Sequence, residues 1–210
     1  MRRNTPDVIQ KRFNYASLYL TIMGRKSKLF FLDETGVQIF SRKRYGYSQV
    51  GSRANNTVGA IRSRNYSISA AISYTSLYFF EISNKPYNRE EYTDFLAKFL
   101  TYLDQDGIKE AILVMDNVPF HRSIDVQEIV SRRGHNLVFL PPYSPFLNPI
   151  EEMFNQLKSL IIEAKSTTED ELYANVEGAS SKITAENCRK YYEHMESYMS
   201  KCMRKIPIDN

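Results

Sequence analysis

Ala111-Ile112-Leu113-Val114-Met115-Asp116 is an apolar run ending on a carboxylate. Thirty-five positions after that acid, Leu140-Pro141-Pro142-Tyr143-Ser144-Pro145-Phe146-Leu147-Asn148-Pro149-Ile150-Glu151 delivers a second one at the opening of an amphipathic helix. Another run, Leu29-Phe30-Phe31-Leu32-Asp33, also ends on an acid. Short apolar runs bounded by polar residues read as buried strands, and open α/β sheets collect functional groups at the carboxyl ends of their strands. The pattern predicts Asp33 and Asp116 at strand tips, with the helix bringing Glu151 from the side. Three converging carboxylates suit a divalent metal, because Mg2+ takes hard oxygen ligands.

Periodicity and punctuation place the rest. Residues 7–23 read as a helix with Val8, Phe13, Leu18, Leu20 and Ile22 partly on one face, ended by Gly24. Strand-like stretches follow at 29–33, 36–40, 67–73 and 76–82. Asn88 is the expected N-cap of a helix through Leu103 whose apolar stripe is Tyr92, Phe95, Leu96, Phe99 and Leu103, closed by Asp106-Gly107. Then come the strand ending at Asp116, a helix at 124–132, a strand at 136–140, the proline-rich turn and further helices. Asn148 is expected to cap the helix that carries Glu151, with Pro149 at its first position. The order β-β-β, α, β, α, β, α describes a mixed sheet flanked by helices, without repeat, low-complexity segment or long linker.

At 210 residues the chain can bury one substantial core. Its two cysteines, Cys188 and Cys202, are expected to pack in a reducing compartment rather than form a disulfide framework. No apolar run reaches the length of a membrane span and the first residues lack a signal-peptide core; the chain is read as soluble and intracellular. Residues 1–66 carry 13 Lys and Arg against 3 Asp and Glu, a net +10, while each later stretch (67–150, 151–210) is net −3. Between 41 and 66 lie Arg42, Lys43, Arg44, Arg53, Arg62 and Arg64, with Tyr45, Tyr47 and Tyr66 and no acid. Such a basic, aromatic insert suits a polyanion, because cations neutralise phosphates and tyrosines stack or hydrogen-bond.

Several motifs together resemble the catalytic domain of mariner-like DDE transposases of the Tc/mariner superfamily, over about residues 28 to 160. They are Leu32-Asp33-Glu34-Thr35-Gly36; Arg44-Tyr45-Gly46-Tyr47-Ser48 with Gly51-Ser52-Arg53; Met115-Asp116-Asn117 with His121; and Pro142-Tyr143-Ser144-Pro145 with Leu147-Asn148-Pro149-Ile150-Glu151 and Leu157-Lys158. The last block is the most specific, and the 34 residues between Asp116 and Glu151 match the spacing of one major branch. Phe154 stands where many relatives carry tryptophan.

The resemblance implies a ribonuclease-H-like fold whose two aspartates and glutamate bind two Mg2+ ions, with Mn2+ as a substitute; carried over by position, the triad is Asp33, Asp116 and Glu151. Carboxylates gathered in this way repel one another, so raised acid pKa values are expected without a counter-ion. Asn117 and His121 become candidates to support the ligands or touch a DNA phosphate. Glu34 should face away from Asp33 on a strand, in a solvated or supporting role. Glu152, about 100° around the helix from Glu151, is a first-turn residue favourable to the helix dipole and the alternative third ligand.

The implied activity is hydrolysis of DNA at transposon ends and joining of 3′-hydroxyl ends to target DNA. The implied partners are DNA and a second copy of the chain in the active complex, with no membrane, and the implied compartment is a nucleus or, in a cell without one, the cytoplasm. The expected organisation is a helical lead-in at 1–27, a catalytic domain at 28–165 containing the basic insert 41–66, and a helical extension at 166–210. The lead-in is too short for the paired helix-turn-helix modules that relatives carry, so a catalytic fragment or a reduced descendant is expected. A non-catalytic binding derivative, or another nuclease of the same fold, stays open at this point.

Overall fold

The apolar run at 29–33 does not stop at its acid. In a computed structural model, which describes residues 2–39 and 65–209, it continues as one ten-residue strand, β1 (Leu29–Gln38), absorbing residues 36–38 of the run expected separately at 36–40. The fusion follows from pairing: β2 (Asn65–Ile72) runs antiparallel along it from Gln38 opposite Asn65 to Phe31 opposite Ile72, so Glu34–Gly36 stay in the ladder. Asp33 is therefore inside a strand, not at its tip.

β3 (Leu77–Ser83) pairs antiparallel with β2. On the other side of β1, β4 (Ile112–Met115) and β5 (Asn136–Phe139) are parallel to it, giving the order β3-β2-β1-β4-β5. The parallel connections run through α2 (Arg89–Gln105) and α3 (Ile124–Arg132). Asn88 caps α2 through Glu91 N, and the expected stripe of Tyr92, Phe95, Leu96, Phe99 and Leu103 is buried. After Asp106, Gly107 takes a positive φ of 68°, the left-handed geometry that closes a helix at no Cβ cost.

Side-chain parity divides the core in two. Phe30, Leu32, Leu113 and Met115 face α2 and α3, whereas Leu29, Phe31, Ile112 and Val114 face the remaining helices. Those are α1 (Pro6–Ile22), α4 (Ile150–Ala164), α5 (Glu169–Ser180), α6 (Ala185–Ser197) and α7 (Met199–Met203). Tyr192 of α6 ties this layer to the sheet, donating to the carbonyls of Leu29 and Ile72. Cys188 and Cys202 are buried free thiols in the same layer. The stripe expected on α1 is different in fact: Val8, Arg12, Tyr15, Ala16 and Tyr19 are buried, while Leu18 and Leu20 are exposed. No helix among the described residues is long and apolar enough to cross a membrane. Of the basic insert, Arg42, Lys43, Arg44, Arg53, Arg62 and Arg64 lie outside the described residues.

Candidate functional site

Register places two acids side by side. In the parallel β1–β4 pair Leu32 is opposite Met115, so the next residues, Asp33 and Asp116, follow on adjacent strands at one level. Leu32 and Met115 both face α2, so alternation turns Asp33 to the face that α4 covers. α4 buries Ile150, Met153, Phe154, Leu157 and Ile161 against that face, which brings its first turn beside the acids. The result is a cleft of about 290 Å3 whose walls include Asp33, Asp116, Asn117 and Glu151, closed on one side by Pro141, Pro142 and Pro145.

Each aspartate is held. Asp33 Oδ1 accepts from the Glu34 amide at 2.8 Å, and Oδ2 accepts from Asn148 Nδ2 at 2.8 Å. Asn148 thus does not cap the helix by its side chain: Pro149 takes the cap position, in αR geometry, and Asn148 is extended at φ −116°, ψ 96°. Among the described residues the buried Asn148 Oδ1 has no hydrogen-bond partner, an unmet acceptor at the wall of the site.

Asp116 Oδ1 accepts from the Val118 amide at 3.2 Å and lies 2.7 Å from His121 Nδ1. The other ring nitrogen, Nε2, lies 2.9 Å from Glu34 Oε1. His121 is fully buried, packed on the Tyr92 and Phe120 rings at 4.3 and 4.4 Å. Burial works against its charge, but hydrogen bonds and Coulombic attraction from Asp116 and Glu34 outweigh it and lift the imidazole pKa to about 9. At neutral pH the ring is an imidazolium donating to both carboxylates. Glu34 does face away from Asp33, and it reaches the site through His121.

The acids bear the cost of their proximity. Asp33 is raised from 3.8 to about 7, first by burial and then by the charge of Glu34, with Asp116 and Glu151 adding to it against the stabilising Glu34 amide. Glu151 is raised by burial and by Asp116, with Lys158 opposing. Glu152 leaves the cleft and pairs with His194 of α6.

Among the described residues, no three Asp, Glu, His or Cys side chains are close enough to enclose a metal by themselves. The acids line an open cleft. That fits Mg2+, which keeps water and substrate oxygens and is seldom held by an all-protein cage. Hard carboxylate oxygens, partly buried and mutually repelling, are the donor set such an ion favours. The sequence offers His121 and Glu34 as supporting residues without fixing their partners, and it carries no signal for the contact of Asn148 with Asp33. Asn148 before proline reads as a cap, and the Glu34–His121–Asp116 bridge joins residues up to 87 positions apart.

A family model described as "DDE superfamily endonuclease" matches residues 28–173. No curated protein matches the chain. Among solved structures, a pre-cleavage Mos1 transpososome is similar at 15% identity and a TM-score of 0.79, over 98% of this chain and 64% of that one. The Mos1 transposase paired-end complex with left transposon end gives 16% and 0.76, over 95% and 62%. The Mos1 transposase catalytic domain with raltegravir and Mn gives 14% and 0.75, over 98% of both chains. At these identities the likeness is one of fold, the ribonuclease-H-like mixed sheet flanked by helices. The chain spans 62–64% of the length of the transposase chains in the DNA-end complexes.

Proposed function

We propose, from the premise that this chain belongs to the DDE superfamily endonucleases, that it is a transposase catalytic unit cutting DNA phosphodiesters at transposon ends and joining the 3′-hydroxyl ends to target DNA. The observation that carries this reading is the meeting of Asp33, Asp116 and Glu151 in one proline-walled cleft. These three would hold Mg2+, with Mn2+ as a substitute. Bound there, a pair of such ions supplies Lewis acidity to the attacking and leaving oxygens of an in-line displacement.

The chain's own groups prepare that chemistry. His121 fixes the Asp116 carboxylate through Oδ1, leaving Oδ2 outside these bonds. Asn148 fixes Asp33 from the opposite wall. His121 also bridges the Asp116 and Glu34 carboxylates through its two ring nitrogens, which fixes both side chains relative to the cleft. The prolines restrict the backbone that aims Glu151. The cations at 42–44, 53, 62 and 64 are proposed to neutralise DNA phosphates, giving positioning with little base readout. The active complex is proposed to contain two copies of the chain.

Supercoiled plasmid with Mg2+ tests the proposal. Wild-type protein should nick it, and Asp116→Ala and Glu151→Gln should each lose roughly a thousand-fold or more, the worth of several kcal/mol of charge stabilisation. Glu152→Gln, removed from the cleft, should stay within a few-fold of wild type. Nicking by Asp116→Ala at the wild-type rate would sink the mechanism. Products containing a 3′ end covalently joined to a second duplex would establish joining, and hydrolysis alone would reduce the proposal to a nuclease.

A further inference from the structure

Among the described residues of the lead-in before β1 is a buried cation, Arg12, that the chemistry above leaves unused. Arg12 is 1% exposed, set in the otherwise apolar stripe of α1. Its Nε donates to Ser144 Oγ at 2.9 Å and its Nη2 to the Tyr143 carbonyl at 3.2 Å. Nη2 also donates to the Arg3 carbonyl at 2.7 Å, and Nη1 to Asn4 Oδ1 at 3.0 Å. Asn4 in turn donates to the Ile208 carbonyl and to Asp209 Oδ1 near the other end of the chain. Ser144 Oγ passes a bond on to the Pro142 carbonyl at 3.0 Å. Both Arg12 and Arg3 lie over the Phe146 ring, at 5.2 and 5.1 Å from its centroid, and that ring packs on Tyr198.

We infer that Arg12 is a positioning residue for the carboxylate cleft: its guanidinium fork holds the 142–146 turn in the conformation that sets Asn148 against Asp33 and Glu151 beside both aspartates. This rests on the reading of that cleft as the divalent-metal site. Three observations support it. The named acceptors of Arg12 are all neutral oxygens, so an apolar side chain of similar volume would fill the space at less desolvation cost if packing were its whole role. Tyr143 sits at φ 53°, a left-handed geometry that a non-glycine residue keeps only when held, and its carbonyl is one of the acceptors. From Ser144 onward a relay of backbone bonds leads to the site: Leu147 N to Ser144 O, Asn148 N to Pro145 O, and Glu151 N to Asn148 O. A displacement at Ser144 therefore reaches both Asn148, which holds Asp33, and Glu151. Lysine cannot reproduce the fork, since it is a point charge without fixed donor directions.

The test uses Arg12→Lys and Ser144→Ala, with Asp116→Ala as the reference, and three readouts: Tm, Mn2+ affinity by electron paramagnetic resonance without DNA, and plasmid nicking across DNA concentrations. Both variants should weaken Mn2+ binding about tenfold and lower turnover about 10- to 100-fold at unchanged KM for DNA, the range seen when groups that orient metal ligands are removed. Ser144→Ala deletes one hydroxyl, so it keeps the test decisive if Arg12→Lys folds poorly. Wild-type Mn2+ affinity and turnover in Ser144→Ala, while Asp116→Ala has lost both, would overturn the role of Arg12 and leave the metal site standing. Retention of both properties by Asp116→Ala would instead overturn the site itself and this inference with it.

Discussion

Asp33 sits in surroundings that work against its charge. Its carboxyl is raised from 3.8 to about 7 by burial and by neighbouring acids, so the folded state binds its proton more tightly than the unfolded state does. Stability from the protonated form is complete below about pH 4 and is lost as pH rises through about 7. His121 adds a second window: raised from 6.5 to about 9, its contribution is complete below 6.5 and is lost as pH rises through 9. In EDTA, scanning calorimetry should therefore show Tm falling from pH 5 to pH 9. Asp33→Asn should flatten the lower half of that fall and stabilise the metal-free protein at pH 8 by about 2 kcal/mol, part of the linkage a three-unit shift allows. An unchanged profile in Asp33→Asn would show that the acid is not strained. Of these residues, Asp116 and Glu151 were legible in the sequence because each ends or opens a recognisable element. Asn148 and Arg12 were not. Asn148 has an ordinary local reading as a cap, and the contacts that matter at the cleft, Asn148 to Asp33 and Arg12 to Ser144, each span more than a hundred residues.

Elements were readable where local periodicity and tertiary demand agree. α2 has a cap, a five-residue stripe and a closing glycine, and every member of that pattern is used. α1 was misjudged because its buried stripe includes an arginine, while two of the leucines assigned to it face solvent. β1 was cut in two because Thr35-Gly36 looks like a break, yet the partner strand carries the ladder through it. The stripe of α2 also makes a test at this scale. Phe99 is fully buried and packs edge-on against Phe30 at 5.6 Å. Phe99→Ala should cost about 3–5 kcal/mol by chemical denaturation. A loss under 1 kcal/mol would mean that this face of the sheet is not a tightly packed core.

At the scale of the molecule, the chain couples an acidic cleft to a strongly basic first third. On the proposed function the two charges serve different ends, one for holding cations and the other for holding the polyanion to be cut. Neutralising Arg42, Lys43 and Arg44 together should weaken DNA binding and reduce the slope of log affinity against log salt by up to about 3, one phosphate contact per cation. An unaltered affinity and slope would remove the insert from the DNA surface. The mixed sheet flanked by helices was accessible from pattern alone, because the apolar runs are short and well separated, whereas the strand order β3-β2-β1-β4-β5 comes from the pairing. The walls of the cleft were not, since they are assembled by register and by a turn braced from the other end of the chain. The central claim is that Asp33, Asp116 and Glu151 together hold the catalytic metal. Anomalous diffraction from a crystal soaked in Mn2+ tests it most directly. The account predicts peaks in the cleft within coordination distance of all three acids; peaks held by Glu152 in place of Glu151, or none in the cleft at saturating Mn2+, would contradict it.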